Sequence, residues 1–158
     1  MAHEYRATVT WTKGEGAFTD QRYSRGHSWS FDGGLTIPAS SSPLSVRLPY
    51  SVAEAVDPEE ALVAALSSCH MLTFLYLAAK QGFVVDRYTD EAVGEMTRNE
   101  KGRFWVSKVT LSPAIVFAAA NKPTAEQLDH LHHLAHEECY IANSFKSEVV
   151  VQGAMSFV

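Results

Sequence analysis

Cysteine is scarce in this sequence: Cys69 and Cys139 are the two thiols among 158 residues. Two thiols that lie 70 residues apart in the chain do not form the dense disulfide framework of small secreted domains. In a reducing compartment such a pair serves either packing or redox chemistry. Packing is the commoner role, because free cysteine is among the most buried residue types. Composition therefore leaves both interpretations open.

Positive charge is also in short supply, since 13 Lys and Arg against 18 Asp and Glu give a formal net charge of -5. Nucleic-acid binding is driven by Lys and Arg that replace counterions, so we expect no nucleic-acid partner. The N-terminal residues contain no basic run followed by an apolar block. We therefore expect neither a signal peptide nor a transit peptide, and a cytoplasmic location. The length favours one domain over residues 1–158.

Charged residues are missing altogether from the segment 61–79. Its length approaches that of a membrane span, yet Ser67, Ser68 and His70 lie near its centre, where polar atoms are costly in lipid. We interpret it as a buried helix and expect no membrane partner. A helix is predicted from the sequence DPEE at 57–60, which offers an N-cap aspartate and a first-turn proline, to Gly82.

The predicted helix is long for so small a protein. About 23 residues cover roughly 35 Å. Apolar residues lie on nearly all its faces, which predicts burial on all sides, and a chain of 158 residues can hardly surround such a rod. The sequence therefore predicts that a partner subunit completes the burial.

The remaining elements give an α+β fold class, because strands and two helices occur without strict βαβ alternation. A Pro/Ser-rich loop is expected over 37–51, after a turn at 32–34. A second helix is predicted with Thr124 as N-cap, Gln127 as capping-box partner and an apolar stripe that Cys139 extends. Alternating β-forming residues predict strands at 4–12, 17–32, 84–98, 103–117 and 144–158, with hairpin turns at KGEG and NEKG.

The surroundings of Cys69 decide whether it is reactive. A thiol in apolar surroundings has a raised pKa and stays inert unless a cation restores the thiolate. His70 is adjacent, but successive helical residues point about 100° apart. We therefore interpret His70 as a core histidine with a satisfied ring nitrogen, and the cation must come from elsewhere.

Two arginines upstream are candidates for that cation. Arg22 and Arg25 are three apart, so in a strand they point to opposite faces and only one can face inward. Arg25 lies beside Gly26, which would let the backbone turn toward a site. An inward arginine needs a carboxylate, which Glu59 or Glu60 can supply. Solvated strand charges are the alternative interpretation.

A candidate metal site includes one of the two cysteines, Cys139. On one helix face His132, His136 and Cys139 are spaced i, i+4 and i+7, which can bring side chains together around a metal such as zinc. No CxxC or HExxH motif accompanies them. A solvated histidine-rich face is the alternative interpretation, and His130 and His133 point away from the trio and are expected at the surface.

Two stretches carry a family resemblance. The sequence DPEEALVAALSSCHMLTFLYLAAKQGF, followed by AHEECYIANS, resembles the two cysteine motifs of the OsmC/Ohr family of thiol-dependent hydroperoxide reductases. YSRGHSWSFDGG and the closing strand are similar to the OsmC-like branch, so the likeness spans nearly the whole chain. The resemblance implies an intertwined homodimer with antiparallel sheets packed around the long cysteine-bearing helix, and sites at the subunit interface.

The resemblance also implies roles for individual residues. Cys69 corresponds to the peroxide-attacking cysteine and Cys139 to the resolving cysteine. Glu59 matches the family's glutamate, although an aspartate stands where the family has asparagine two residues earlier, and Arg25 fits the family's arginine better than Arg22 does. Ten helical residues place Glu59 about 15 Å from Cys69, so either the helix breaks or the partner chain contributes Glu59, which we favour.

The activity that the resemblance implies is reduction of organic hydroperoxides to alcohols, as an antioxidant stress response. A Cys69 sulfenic acid would condense with Cys139 to a disulfide, and a dithiol reductant, for which a lipoyl group is one candidate, would reset the pair without a cofactor. An apolar wall including Leu66, Leu72 and Phe74 would favour hydrophobic peroxides. The alternative is a non-catalytic binding protein that holds a hydrophobic ligand, or a metal at His132, His136 and Cys139.

Overall fold

The computed structural model describes residues 2–157, so Met1 and Val158, the two ends of the predicted single domain, lie outside the described residues. The strands are β1 Ala7–Thr10, β2 His27–Phe31, β3 Thr36–Ala39, β4 Val85–Asp90, β5 Val93–Arg98, β6 Phe104–Leu111, β7 Pro113–Phe117, β8 Glu148–Val151 and β9 Ala154–Phe157. The α-helices are α1 Pro58–Lys80 and α2 Ala125–Glu138. This is the predicted α+β class. The chain divides into two compact units, one up to Ala61 and one from Leu62 onward, and the prediction of one domain stays a prediction.

The first unit is an antiparallel meander in the order β1-β2-β3. The prediction of a strand over 17–32 is wrong for its first ten residues. There Gln21 has a φ of 63°, which ends any extended run, and the rings of Trp11, Phe18 and Tyr23 pack on one another instead of on a sheet. The predicted turn at 32–34 is confirmed, because the Gly34 N–H donates to the Phe31 carbonyl at 3.0 Å.

Part of the predicted Pro/Ser-rich loop is a strand. β3 includes Pro38, which an edge strand tolerates because the missing N–H faces away from the sheet. The chain then runs irregularly and returns beside β3, where the Ser40 N–H donates to the Val56 carbonyl at 3.1 Å. The buried Ser40 hydroxyl accepts from the Val52 N–H at 2.9 Å and fixes this return. This segment leads directly into the start of α1.

Both ends of α1 follow the predicted signals. At its start the Glu60 N–H donates to Asp57 Oδ1 at 2.8 Å, and the Asp57 N–H donates to Glu60 Oε2 at 3.3 Å, which is a reciprocal capping box. At its end Gly82 has a φ of 80°, and the Phe83 N–H donates to the Ala78 carbonyl at 3.0 Å. This is a Schellman ending, and the predicted helix is confirmed.

The second unit contains two three-stranded sheets, ordered β4-β7-β9 and β5-β6-β8. Single strands were predicted over 84–98, 103–117 and 144–158. In the structure each of these ranges contains two strands, and the two belong to different sheets. At the first break Asp90 accepts from the Ser112 N–H at 2.6 Å and from the Ser67 hydroxyl at 2.5 Å. The β5–β6 hairpin turns at NEKG as predicted, with the Gly102 N–H donating to the Asn99 carbonyl at 2.8 Å.

Two hydrophobic clusters fill this second unit. The first joins α1 and α2 to the β4-β7-β9 sheet through Phe74, Phe117 and Leu131 among others. The second places Leu66 of α1 against Val109, Leu111 and Cys139. Burying a side chain of this size contributes about 1.5–3 kcal/mol. The two clusters therefore fix α1 on both sides of Cys69.

A single chain does not bury α1 on all sides, as expected for a rod that 158 residues can hardly surround. Its buried residues are Leu66, His70, Phe74, Leu77 and Ala78. Leu62, Leu72 and Tyr76 remain 38%, 60% and 62% exposed. The helix is also long and apolar enough to cross a membrane, a property that core helices of soluble proteins share. One chain therefore leaves an apolar side of α1 uncovered.

Candidate active site

The site is built where α1 passes the end of α2. Cys69 is half-buried and packs against the cluster that contains Leu66 and Cys139. Cys139 is fully buried and caps the C-terminus of α2, where its ψ of 115° takes the chain out of the helix. The structure thus brings together the two thiols that are 70 residues apart in the sequence.

Both thiols are free, and Cys69 lies close enough to Cys139 to influence its ionisation. Burial, and to a lesser extent the hydrogen bond with Cys69, raise the pKa of the Cys139 thiol to about 11. Backbone N–H groups act in the opposite direction, since the Ala142 N–H donates to Cys139 Sγ at 3.4 Å. At neutral pH Cys139 is therefore a thiol. Two cysteines in contact can close a disulfide once one of them is oxidised.

The arginines lie in the first unit, and Arg25 is the better held of the two. Its Nη1 donates to the carbonyls of Gln21 and Tyr23, both at 2.6 Å. Its Cζ lies 3.9 Å from the centroid of the Tyr23 ring. Arg22 is exposed, and its backbone N–H donates to Asp20 Oδ1 at 3.0 Å. The role predicted for Arg25 at the thiol stays a prediction.

Glu59 lies half-buried in the first turn of α1. Because α1 is unbroken from Pro58 to Lys80, a break in the helix cannot bring Glu59 to Cys69 in the same chain. Within residues 2–61 Arg25 is held by carbonyls and a tyrosine ring, with no ion pair to Glu59. Of the two alternatives, contribution of Glu59 by a partner chain remains as the prediction.

Sequence reasoning missed the support behind Arg25. The Trp29 indole N–H donates to His27 Nε2 at 2.9 Å, so His27 Nδ1 carries the proton and donates to the Arg25 carbonyl at 2.8 Å. His27 and Trp29 are two apart on β2 and share a face. The i, i+2 spacing of His27 and Trp29 was the signal in the sequence from which this support could have been predicted.

A buried histidine pair lies beside the thiols. His70, 1% exposed, and His132, 6% exposed, are joined from Nε2 to Nδ1 at 3.1 Å, and His132 stacks on Phe74. Burial is the main cause that lowers the pKa of both rings to about 4. Both are neutral at physiological pH. The interpretation of His70 as a core histidine with a satisfied ring nitrogen is confirmed.

The hypothesis of a metal site at His132, His136 and Cys139 is wrong. Within residues 2–157 no three His, Cys, Asp or Glu side chains are placed to hold a metal ion. The reason is that α2 ends at Cys139, which packs in the second cluster, whereas His132 bonds to His70. His132 and His136 instead line a cavity of about 330 Å³. His130 and His133 are exposed, as predicted.

Comparison with known proteins places this geometry in a family context. The OsmC family model, described as OsmC-like protein, matches residues 51–153. A solved structure of an OsmC-like protein of unknown function from Vibrio cholerae is 55% identical, with 97% of this chain and 100% of that chain covered and a TM-score of 0.94. No curated protein matches the sequence.

Two more distant solved structures share the fold. One is an organic hydroperoxide resistance protein from Elizabethkingia anophelis with thiocyanate bound, at 19% identity and a TM-score of 0.71 over 100% of this chain and 99% of that chain. The other is an organic hydroperoxide resistance protein from Bacillus subtilis, at 17% identity and a TM-score of 0.65 over 98% of each chain.

Proposed function

Because this chain belongs to the OsmC family, we propose that it is a thiol-dependent peroxidase that reduces organic hydroperoxides to alcohols. The observation that carries the proposal is the contact between the half-buried Cys69 thiol and the buried Cys139 thiol. Further support comes from the shared fold of two organic hydroperoxide resistance proteins.

In the first step the Cys69 thiolate attacks the O–O bond of the hydroperoxide. Sulfur takes the distal hydroxyl and becomes a sulfenic acid, while the alkoxide leaves and is protonated to the alcohol. We assign Arg25 the task of stabilising the thiolate, since a thiol in apolar surroundings needs a cation to ionise. Its guanidinium is already ordered by two carbonyls and the Tyr23 ring, so little conformational freedom remains to be lost.

In the second step the sulfur of Cys139 attacks the Cys69 sulfenic acid. An S–S bond forms, the S–O bond breaks, and the hydroxide leaves with the Cys139 proton as water. A dithiol reductant, of lipoyl type or a small thiol, then exchanges into the disulfide and is itself oxidised while both cysteines return to thiols. The cycle balances without a cofactor.

The proposal includes a homodimer. The exposed apolar residues of α1, Leu62, Leu72 and Tyr76, support it, because large exposed apolar faces are typical of interfaces. A partner chain would cover this face and contribute Glu59 to orient Arg25. The apolar wall would favour hydrophobic peroxides over hydrogen peroxide. We also propose a cytoplasmic location, without a nucleic-acid or membrane partner.

The test measures consumption of cumene hydroperoxide and tert-butyl hydroperoxide with a dithiol reductant present. We expect Cys69→Ser to abolish consumption, and Cys139→Ser to turn over once and then stall. Ser68→Ala, an exposed neighbour on the same helix, is the matched control and should keep native activity. Full activity in Cys69→Ser would contradict the mechanism. A native protein that consumes no peroxide but retains an apolar ligand in native mass spectrometry would favour the binding-protein alternative.

A further inference from the structure

We propose that Asn143 is a positioning residue for the disulfide-forming step, because its side-chain amide holds the turn that directs the Ala142 N–H at the sulfur of Cys139. This inference rests on the proposed function. It concerns the second step of the cycle alone, which leaves the attack of Cys69 on the peroxide untouched.

The amide of Asn143 closes the end of α2. Its Nδ2 donates to the carbonyls of Glu137 and Cys139, at 2.8 and 3.0 Å, and its backbone N–H donates to the Cys139 carbonyl at 3.0 Å. The last carbonyls of a helix lack intrahelical partners, so these bonds supply what the helix end is missing. They also tie the 3-10 turn Ala142–Ser144 to the end of the helix.

The same turn presents a backbone donor to the buried sulfur. The Ala142 N–H donates to Cys139 Sγ at 3.4 Å, and the Ile141 N–H acts on the same atom. Because Cys139 is fully buried, water does not solvate the charge that develops on its sulfur. Fixed N–H donors are then what stabilises a forming thiolate, as in an oxyanion hole.

These donors matter because every other influence on Cys139 opposes ionisation. Burial raises its pKa, and so does the contact with Cys69, whereas the two N–H bonds lower it. In the disulfide-forming step the proton leaves Cys139 as the S–S bond forms and hydroxide departs from Cys69. If the turn relaxes, the sulfur loses the aligned Ala142 N–H donor at the moment when charge develops.

The expected size of the effect follows from thiol chemistry. A rise of one pKa unit lowers the thiolate fraction about tenfold at neutral pH. The more basic thiolate is also more nucleophilic, with a Brønsted slope of about 0.4–0.5, which recovers roughly threefold. The net slowing is about threefold from ionisation alone, and lost positioning adds to it.

The experiment is a single turnover with one equivalent of cumene hydroperoxide. Dimedone traps the Cys69 sulfenic acid, and mass spectrometry follows the disulfide. In Asn143→Ala we expect sulfenic acid to form at the native rate and the disulfide to close at least threefold more slowly, with its pH profile displaced to higher pH. Asn143→Asp keeps the side-chain shape without the N–H donors and should behave similarly.

Ser144→Ala is the matched control, since this hydroxyl lies in the same turn but donates to the Tyr140 carbonyl, at 2.9 Å. It should keep both native rates. Native closure and an unshifted profile in both folded Asn143 variants overturn the inference.

A second measurement does not depend on peroxide chemistry. In the Cys69→Ser background, the ¹³C resonance of the Cys139 Cβ reports ionisation of that thiol. We expect its titration to begin at higher pH when Asn143→Ala is added, and an unchanged titration overturns the inference. If the native protein forms no sulfenic acid, the proposed function fails, and this titration still tests the positioning role by itself.

Discussion

Two neighbouring residues of α1, Cys69 and His70, each meet a partner from the C-terminal part of the chain. His70 pairs with His132 beside Phe74, and Cys69 pairs with Cys139 beside the second cluster. Burial lowers the pKa of both histidines and raises that of Cys139. In each case burial disfavours the charged form, so one physical cause keeps His70, His132 and Cys139 neutral.

The pairs differ in what they leave accessible. Both rings of the histidine pair are buried, whereas Cys69 of the thiol pair is half-buried. An inert polar pair needs only internal hydrogen bonds, but a reactive thiol needs a route for substrate and a cation from outside its own core. The histidine pair therefore has the features of a structural contact, and the thiol pair has the exposure that the proposed reaction requires. Three measurements sharpen this contrast.

The largest expected effect is loss of stability in acid from the histidine pair. The folded pKa values of His70 and His132, about 4, lie below the 6.5 of an unfolded histidine. The unfolded state therefore binds more protons between pH 6.5 and 4, and stability falls as the pH falls through that window. We expect each of the two rings to account for a loss of about 3 kcal/mol between pH 7 and 4, measured by urea denaturation.

Carboxylates also titrate in that window, so the comparison must be made between variants. His132→Gln should flatten the pH dependence, whereas His133→Gln, an exposed neighbour, should keep it. A native pH dependence in His132→Gln would show that another group causes the acid sensitivity.

An intermediate effect is expected where the chain passes close to the histidine pair. A Cβ added at Gly153 would lie 2.5 Å from His132 Nε2. Overpacking of this kind costs about 1–3 kcal/mol, and we expect Gly153→Ala to lose about 2 kcal/mol in the free energy of unfolding. Gly33→Ala is the matched control, because an added Cβ there meets no atom within 4 Å. Equal stability of the two variants would mean that His132 moves aside freely.

The features of the fold that depend on local signals could be predicted from the sequence. Asp57 and Thr124 begin the two α-helices as predicted, because N-cap signals are read from the few residues of the first turn. Pairing of Cys69 with Cys139 could be inferred only from the family resemblance. Spacing along the chain does not specify which segments meet in the second cluster.

The failures have equally local reasons. The metal trio assumed that α2 continues through Cys139, but its ψ of 115° ends the helix there. The divided strands were predicted as continuous because β-forming residues lie on both sides of each break, although Pro113 and Gly153 are residue types that interrupt strands. Gly153 is also the position that makes room for His132, a tertiary contact that no residue pattern announces.

The smallest expected effect concerns the stability contributed by the thiol pair. Cys139→Ala removes one buried sulfur and a weak hydrogen bond but leaves no charge unpaired, so we expect a loss of about 1 kcal/mol in urea denaturation under reducing conditions. The same variant should lose sustained peroxide turnover completely. A contact that contributes so little to stability but is required for turnover is present for its chemistry. A loss of several kcal/mol with turnover intact would make Cys139 a packing residue like Leu66 and remove the contrast with the histidine pair.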